Sequence, residues 1–243
     1  MAAPVPLLEL AGMHTHIGRY HILHGVDLAV PEGYVSVLLG RNGAGKTTAL
    51  RTIMGLWRAS RGAIRFAGRE IATLPTPAIA RLGIAYVPES MGVFTALTVA
   101  ENFRLADWRG DPAPARLEAV MTAFPVLAEK WRARAGTLSG GQKQMLAIGR
   151  AMAAEHRLLI IDEPSKGLAP VMVAQLTEAL ARLKEGHTTI LLVEQNFAMA
   201  RALGDHVAVM EDGRIVHRGE MATLAADIAL QTRLLGLSLA SHQ

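Results

Sequence analysis

Residues 40–47 read Gly-Arg-Asn-Gly-Ala-Gly-Lys-Thr, which fits the spacing G-x-x-x-x-G-K-[ST]. These residue types suit the binding of phosphate. Glycines let the backbone curl around an anion with its N–H groups turned inward. A helix opening at Lys46 adds partial positive charge at its N-terminus. Lys46 is expected to reach the β- and γ-phosphates of a nucleotide, and the Thr47 hydroxyl to bind Mg²⁺. The candidate nucleotide-binding set is therefore Gly40, Arg41, Asn42, Gly43, Ala44, Gly45, Lys46, Thr47 and Thr48.

A loop of this kind needs a carboxylate at the end of a neighbouring buried strand to organise the metal. The run LLIIDEP at 158–164 supplies Asp162 for Mg²⁺. Glu163, one residue further, can orient or deprotonate an attacking water. A second run of the same shape, ILLVEQN at 190–196, ends in Glu194 and Gln195. A third stretch is Leu138-Ser139-Gly140-Gly141-Gln142. Ser139 can cap the helix that follows, and two glycines leave bare N–H groups at its start. One nucleotide hardly needs two anion-binding helix ends from one fold. A head-to-tail dimer does, because each ATP then sits between one protomer's loop and the other's Ser-Gly-Gly turn.

These residues need strands and helices to place them. Strand-like runs occur at 7–10, 27–30, 34–40, 63–67 and 84–87, with a Pro31-Glu32-Gly33 turn between two of them. Residues 98–130 read as a helical insertion, with a loop and a Pro-started helix in DPAPARLEAV. A helix over 140–154 follows. Strand 158–162, helix 170–184, strand 189–194 and helix 196–203 then alternate, the order of right-handed βαβ units on a parallel sheet. Glu211-Asp212-Gly213 marks a hairpin between 206–210 and 214–217, and 220–236 reads as helical.

The chain has 243 residues, 51% hydrophobic and 19% charged, enough for a large core and too apolar for disorder. No apolar run is long enough to span a bilayer, and the start, MAAPVPLLEL, reads as no signal peptide. Cysteine is absent, which excludes disulfides and thiolate metal sites and suits a reducing cytoplasm. A net charge of +4 favours anionic partners, but no basic cluster or aromatic platform points to nucleic acid.

Taken together, "GRNGAGKT", "LSGGQ" and "LLIIDE" resemble the Walker A, signature and Walker B motifs of the ATP-binding cassette family, the nucleotide-binding subunits of ABC transporters. The resemblance runs from the strand at Leu7 to about Gly219. It implies an α/β P-loop NTPase of the cassette type: an N-terminal antiparallel β-subdomain, a parallel core sheet and a helical subdomain. The whole of 1–243 would be one ATP-binding domain, with the helical subdomain at about 90–150 and a C-terminal helical tail at about 220–243. "GIAYVPESMGVFTALTVAEN", "QMLAIGRAM", "DEPSKGLAP" and "LLVEQN" resemble more narrowly the LivF-type cassettes of branched-chain amino acid uptake. That likeness makes Glu163 and Gln195 the catalytic pair, Gln195 taking the γ-phosphate sensor position where most cassettes have His. It adds Glu89 to Thr47 and Asp162 as a metal-site residue, at a position where most cassettes have Gln. Glu194 reads as a strand-end neighbour.

The implied cofactors are ATP and Mg²⁺. The implied partners are a second cassette, two transmembrane permease subunits and, indirectly, a periplasmic binding protein. Nucleic acid is not expected. The place is cytoplasmic, peripheral on the inner face of the membrane. Urea or short amides are the alternative cargo, and a soluble cassette acting on nucleic acid or the ribosome is the rival role. A small-molecule P-loop kinase would have no use for LSGGQ.

The sequence departs from the family pattern in three places. Ile17 stands near where an aromatic usually stacks on adenine, with Tyr20 three residues on. Lys166 stands where the subgroup often has an apolar residue. "SMG" after Glu89 replaces a more basic stretch. His14, His16, His21 and His24 read as loop and strand-end histidines without a completed ligand set. Met54, Met121, Met145, Met152 and Met172 read as core filling. Arg132 and Arg134 read as a solvated or interface face, and Glu101 as support for a helix start.

Overall fold

The structure, a computed structural model, describes residues 6–106 and 110–236. Part of the expected 98–130 helical stretch (107–109) and the end of the expected tail (237–243) lie outside the described residues.

Two long strands open the fold. β1 (Pro6–Ile17) and β2 (Tyr20–Pro31) form an antiparallel hairpin, and β1 also pairs with β4 (Ala59–Phe66), which pairs with β5 (Arg69–Glu70). This gives a four-stranded antiparallel sheet in the order β2-β1-β4-β5. The expected strands at 7–10 and 27–30 are only the outer thirds of β1 and β2. Register shifts between Leu10 and Met13 and between Thr15 and His16 break the apolar alternation, so the middle of the hairpin does not read as strand. The four histidines consequently lie within strands and not in a loop.

β3 (Val35–Leu39) follows, then α1 (Lys46–Ile53), α2 (Thr76–Arg81) and β6 (Ile84–Val87). Among the described residues the helical stretch holds α3 (Val99–Arg104), α4 (Pro114–Ala123) and α5 (Pro125–Glu129), before the longer α6 (Gly140–Ala153). Thr98 and Glu101 close a reciprocal capping box at the start of α3. Pro125 separates α4 from α5, because the residue before a proline is pushed out of helical geometry and Phe124 takes φ −133°.

β7 (Leu158–Asp162), α7 (Pro170–Glu185), β8 (Thr189–Glu194), α8 (Phe197–Leu203), β9 (His206–Glu211) and β10 (Arg214–Glu220) then alternate much as the pattern predicts. The expected helix over 220–236 is a strand end and two helices, α9 (Met221–Ala226) and α10 (Ile228–Leu235). Asp227 splits them because its carboxylate caps α10 through the Leu230 N–H at 2.8 Å.

The second sheet has the order β10-β9-β3-β8-β7-β6. Its pairs β9–β3, β3–β8, β8–β7 and β7–β6 are parallel, while β10 runs antiparallel to β9, so the core sheet is mixed and not wholly parallel. Every residue of β3, β7 and β8 is buried. Successive side chains alternate between two cores. Leu159, Ile161 and Leu192 face the helices, with Val120, Phe103, Leu146 and Ile148. Leu158, Ile160 and Leu191 face the antiparallel sheet, with Leu8, Leu23, Ile53 and Ile64. Burial on both faces is why these strands read as unbroken apolar runs. Each fully buried Leu or Ile stabilises the fold by about 1.5–3 kcal/mol. Met54, Met145 and Met152 are core residues, and Met121 and Met172 pack against the core. Among the described residues no helix is long and apolar enough to cross a membrane.

Candidate active site

The C-terminal ends of β3, β7 and β8 lie side by side, so the polar residues that follow each strand converge. The loop 40–45 connects β3 to α1. Gly40 and Gly45 are required there: both have positive φ, a Cβ on Gly40 would collide with the Met210 carbonyl, and one on Gly45 would press on Leu23. Arg41, Asn42 and Gly43 are exposed, whereas Ala44 is buried and its carbonyl accepts from the Gly213 N–H at 2.9 Å. Lys46 is 4% exposed. Its ammonium donates to the carbonyls of Gly40 (2.7 Å) and Arg41 (3.0 Å) and lies 3.0 Å from Oε1 of Glu163. The Thr47 hydroxyl donates to Oδ1 of Asp162 at 3.2 Å, and the Thr48 carbonyl accepts from Thr52.

Asp162 ends β7, fully buried, and also accepts from the Tyr86 hydroxyl at 3.4 Å. Burial, with the nearby Glu163 and Glu89 carboxylates, pushes its carboxyl up to about 6 against the opposing hydrogen bonds from Thr47 and Tyr86. The burial of Tyr86 and the charge of Asp162 in turn push the Tyr86 hydroxyl up. Glu163 has φ 47°, a conformation a non-glycine residue rarely takes and one that costs of order 1–3 kcal/mol. Its N–H bonds to the Val193 carbonyl at 2.9 Å, which anchors the turn to β8. Burial works to raise the Glu163 carboxyl, but hydrogen bonds from Gln195 and Lys46 and the charges of Lys46 and Lys166 outweigh it and hold it below the ordinary range.

At the end of β8, Gln195 donates from Nε2 to Oδ1 of Asn42 and to Oε1 of Glu163, both at 2.7 Å. Gln195 therefore joins the phosphate loop to the carboxylate after β7. Glu194 is more than a strand-end neighbour. It is buried and accepts from Ser165 N (2.9 Å), Ser165 Oγ (2.9 Å), Gln195 N (2.9 Å) and Asn196 N (3.0 Å). A carboxylate closing an all-buried strand is the one sequence signal that could have found it, since buried Glu needs partners. Glu89 is exposed, and Lys166 binds it at 2.6 Å.

Ser139, Gly140, Gly141 and Gln142 form the start of α6, with Leu138 buried beneath them. The Ser139 hydroxyl accepts from the Gln142 N–H at 3.3 Å, and the Gln142 side chain accepts from the Ser139 N–H at 3.0 Å. Ile17 and Tyr20 face each other at the β1–β2 tip, where Tyr20 is 61% exposed. The His21 ring stacks on those of His14 and His16 and lies tilted against that of His24, with centroids 4.0–5.2 Å apart. Among the described residues no group of three or more His, Cys, Asp or Glu could hold a metal ion.

Residues 23–166 match the family model described as ABC transporter. The chain belongs to the ABC transporter family. It is an ATP-binding cassette, an ATPase whose hydrolysis is coupled to transport. The cassette is 40% identical to the high-affinity branched-chain amino acid transport ATP-binding protein BraG of Pseudomonas aeruginosa, across 95% of this chain and 100% of that protein. It is 37% identical to the probable branched-chain amino acid transport ATP-binding protein LivF of Archaeoglobus fulgidus, across 88% of this chain and 92% of that one. Among solved structures it resembles an ATP-binding subunit of an ABC transporter at 31% identity, with a TM-score of 0.79 and 96% of each chain covered.

Proposed function

We propose that this cassette is the ATP-hydrolysing subunit of an importer for branched-chain or other hydrophobic amino acids. It works as one of a head-to-tail pair on two permease subunits, at the inner face of the membrane, with a periplasmic binding protein delivering the cargo. The observation that carries the hydrolytic part is the convergence of Lys46, Asp162, Glu163 and Gln195 at three adjacent strand ends. The cargo rests on the likeness to the two branched-chain amino acid transport proteins.

In this reading ATP lies along residues 40–48, with the backbone N–H groups of the loop on its phosphates. Lys46 exchanges its bond to Glu163 for the β- and γ-phosphates, which frees a Glu163 oxygen to take the proton of the attacking water. Gln195 donates to the charge that develops on the transferred phosphoryl group. Leu138, Ser139, Gly140, Gly141 and Gln142 close the ATP site of the partner cassette, their bare N–H groups facing its γ-phosphate. Thr47 and Asp162 offer only oxygen ligands, and the buried carboxylate of Asp162 fits a hard divalent cation. These two, with Glu89, would hold Mg²⁺, which supplies neutralising charge to the phosphates when bound.

The permease contact belongs to a groove of about 660 Å³ between the core and the helices, lined by Arg51, Trp57, Tyr86, Met91 and Arg150. Exposed Leu56 also lines it, and the exposed Phe94 ring lies 5.2 Å from the guanidinium of Arg150.

The test is uptake into vesicles containing the cassette, its permeases and the binding protein, with ATP supplied on the cassette side. Labelled leucine is expected to accumulate only with ATP. Accumulation of urea or a short amide in place of leucine overturns the cargo.

A further inference from the structure

Lys166 lies in the loop between β7 and α7, and its N–H closes a turn on the Glu163 carbonyl at 3.2 Å. Its ammonium lies 2.6 Å from Oε1 of Glu89 and 3.5 Å from Oε2 of Glu163. The other oxygen of Glu163, Oε1, takes Lys46 at 3.0 Å and Gln195 at 2.7 Å. Both oxygens of the carboxylate are thus engaged by cations. ATP draws Lys46 from Oε1, but Lys166 stays beside Oε2, and its charge keeps the carboxylate a weaker base toward water until it too withdraws.

The two lysines differ in what can draw them off. Lys46 sits in the phosphate loop, where the phosphates compete for it. Lys166 is half-exposed and its closer partner is Glu89, so the position of Glu89 decides how near Lys166 stands to Glu163. Glu89 follows β6 in a segment whose neighbours Pro88, Ser90, Met91 and Gly92 line the groove described above. A shift of that segment carries Glu89, and Lys166 with it, relative to Glu163.

We propose that Lys166 is a positioning residue that latches Glu163 and relays the state of the groove to it through Glu89. With the groove segment at rest, the ammonium restrains the carboxylate. When a permease segment moves Glu89, the ammonium follows and the carboxylate is released for chemistry. The proposal rests on the reading of Glu163 as the base and of the groove as the permease contact.

The test compares steady-state ATPase of wild type, Lys166→Met, Lys166→Arg and Glu163→Gln, each as the full chain alone and assembled with its permeases. Lys166→Met is expected to raise kcat of the chain alone by about two- to fivefold, the scale on which a half-exposed ion pair restrains its partner. KM for MgATP stays within about twofold, and the stimulation by permeases shrinks by the factor that the basal rate gains. Lys166→Arg retains the charge and behaves as wild type. An unchanged or lower kcat in Lys166→Met, an Arg variant as fast as the Met variant, or full permease stimulation without Lys166 overturns the latch. Glu163→Gln separates the claims. If it turns over like wild type, Glu163 is not the base and the latch falls with it. If it is inert while Lys166→Met is unchanged, the latch alone falls.

Discussion

The ammonium of Lys46 and the carboxylate of Glu163 form a buried ion pair at 3.0 Å, so the phosphate loop and the strand end opposite it neutralise each other across the site. ATP must break this pair to bind as proposed, and the pair leaves neither charge alone in the interior.

Lys46→Ala is expected to remove most nucleotide affinity and also to weaken the fold. Breaking a buried pair from one side strands the other charge, at about 2–4 kcal/mol here because Gln195 and Lys166 still reach Glu163. Adding Glu163→Gln to Lys46→Ala is expected to restore much of that stability without restoring binding. Urea denaturation of the four forms, with a fluorescent-ATP titration, checks both. Full additivity of the two changes would show the pair to be energetically silent.

Glu163→Gln alone keeps the shape of the side chain and loses its basicity. Turnover is expected to fall about 10²–10⁴-fold while ATP still binds. Light scattering is then expected to find an ATP-held dimer. A variant that stays monomeric with saturating ATP would count against the site shared between two cassettes.

Gln195 cannot gain a charge, unlike the histidine it replaces in most cassettes. ATPase at saturating MgATP, followed from pH 5.5 to 9, is expected to show an acidic limb and no histidine-like step between pH 6 and 8. Gln195→Ala loses the bonds to Asn42 and Glu163 and is expected to lower kcat more than ATP affinity. Gln195→His is expected to retain part of the activity and to acquire the missing step. Full turnover in the Ala variant removes Gln195 from the mechanism.

Asp162 makes the fold depend on pH. Its carboxyl is pushed up to about 6 from 3.8, so the folded chain holds this proton more tightly than the unfolded chain. Its contribution therefore favours the fold below about pH 4 and is lost as pH rises through about 6, for roughly 2–3 kcal/mol in all. Asp162→Asn keeps an acceptor for Thr47 without the charge. Without Mg²⁺ or nucleotide, the variant is expected to melt several degrees above wild type at pH 7.5, with the gap closing toward pH 4. It is also expected to lose ATPase. Melting curves across that range decide it; a gap that does not change with pH removes Asp162 as its source.

Glu194→Ala would orphan the Ser165 hydroxyl and three backbone N–H groups at once. A loss of about 3–5 kcal/mol is expected, with Glu194→Gln milder because one oxygen can still accept. Denaturant midpoints of wild type and the two variants provide the comparison: a Gln variant as stable as wild type would mean that the charge contributes nothing, and one no better than Ala that a single neutral oxygen cannot replace the carboxylate.

The chemistry-bearing positions and the elements that carry them were legible in the amino-acid order. Residues 40–47, 138–142, 158–163 and 190–195 are local patterns, and β3, β7 and β8 are short apolar runs that start and stop at local signals. Elements whose limits depend on distant partners were not legible in this way. The bulged middle of β1 and β2 takes its strand geometry from pairing with each other and with β4, not from its own His-rich residues. The breaks at Pro125 and Asp227 were written in the sequence but outweighed by helical periodicity around them. Tertiary structure alone decided that β3 lies between β8 and β9, which brings Gln195 to Asn42 across 153 positions of chain. It alone set Glu163 in a left-handed turn between two lysines, and buried Glu194 under the loop that this turn begins. Strand order and side-chain convergence are sums of many long-range contacts, none of which has a signature in a neighbouring residue.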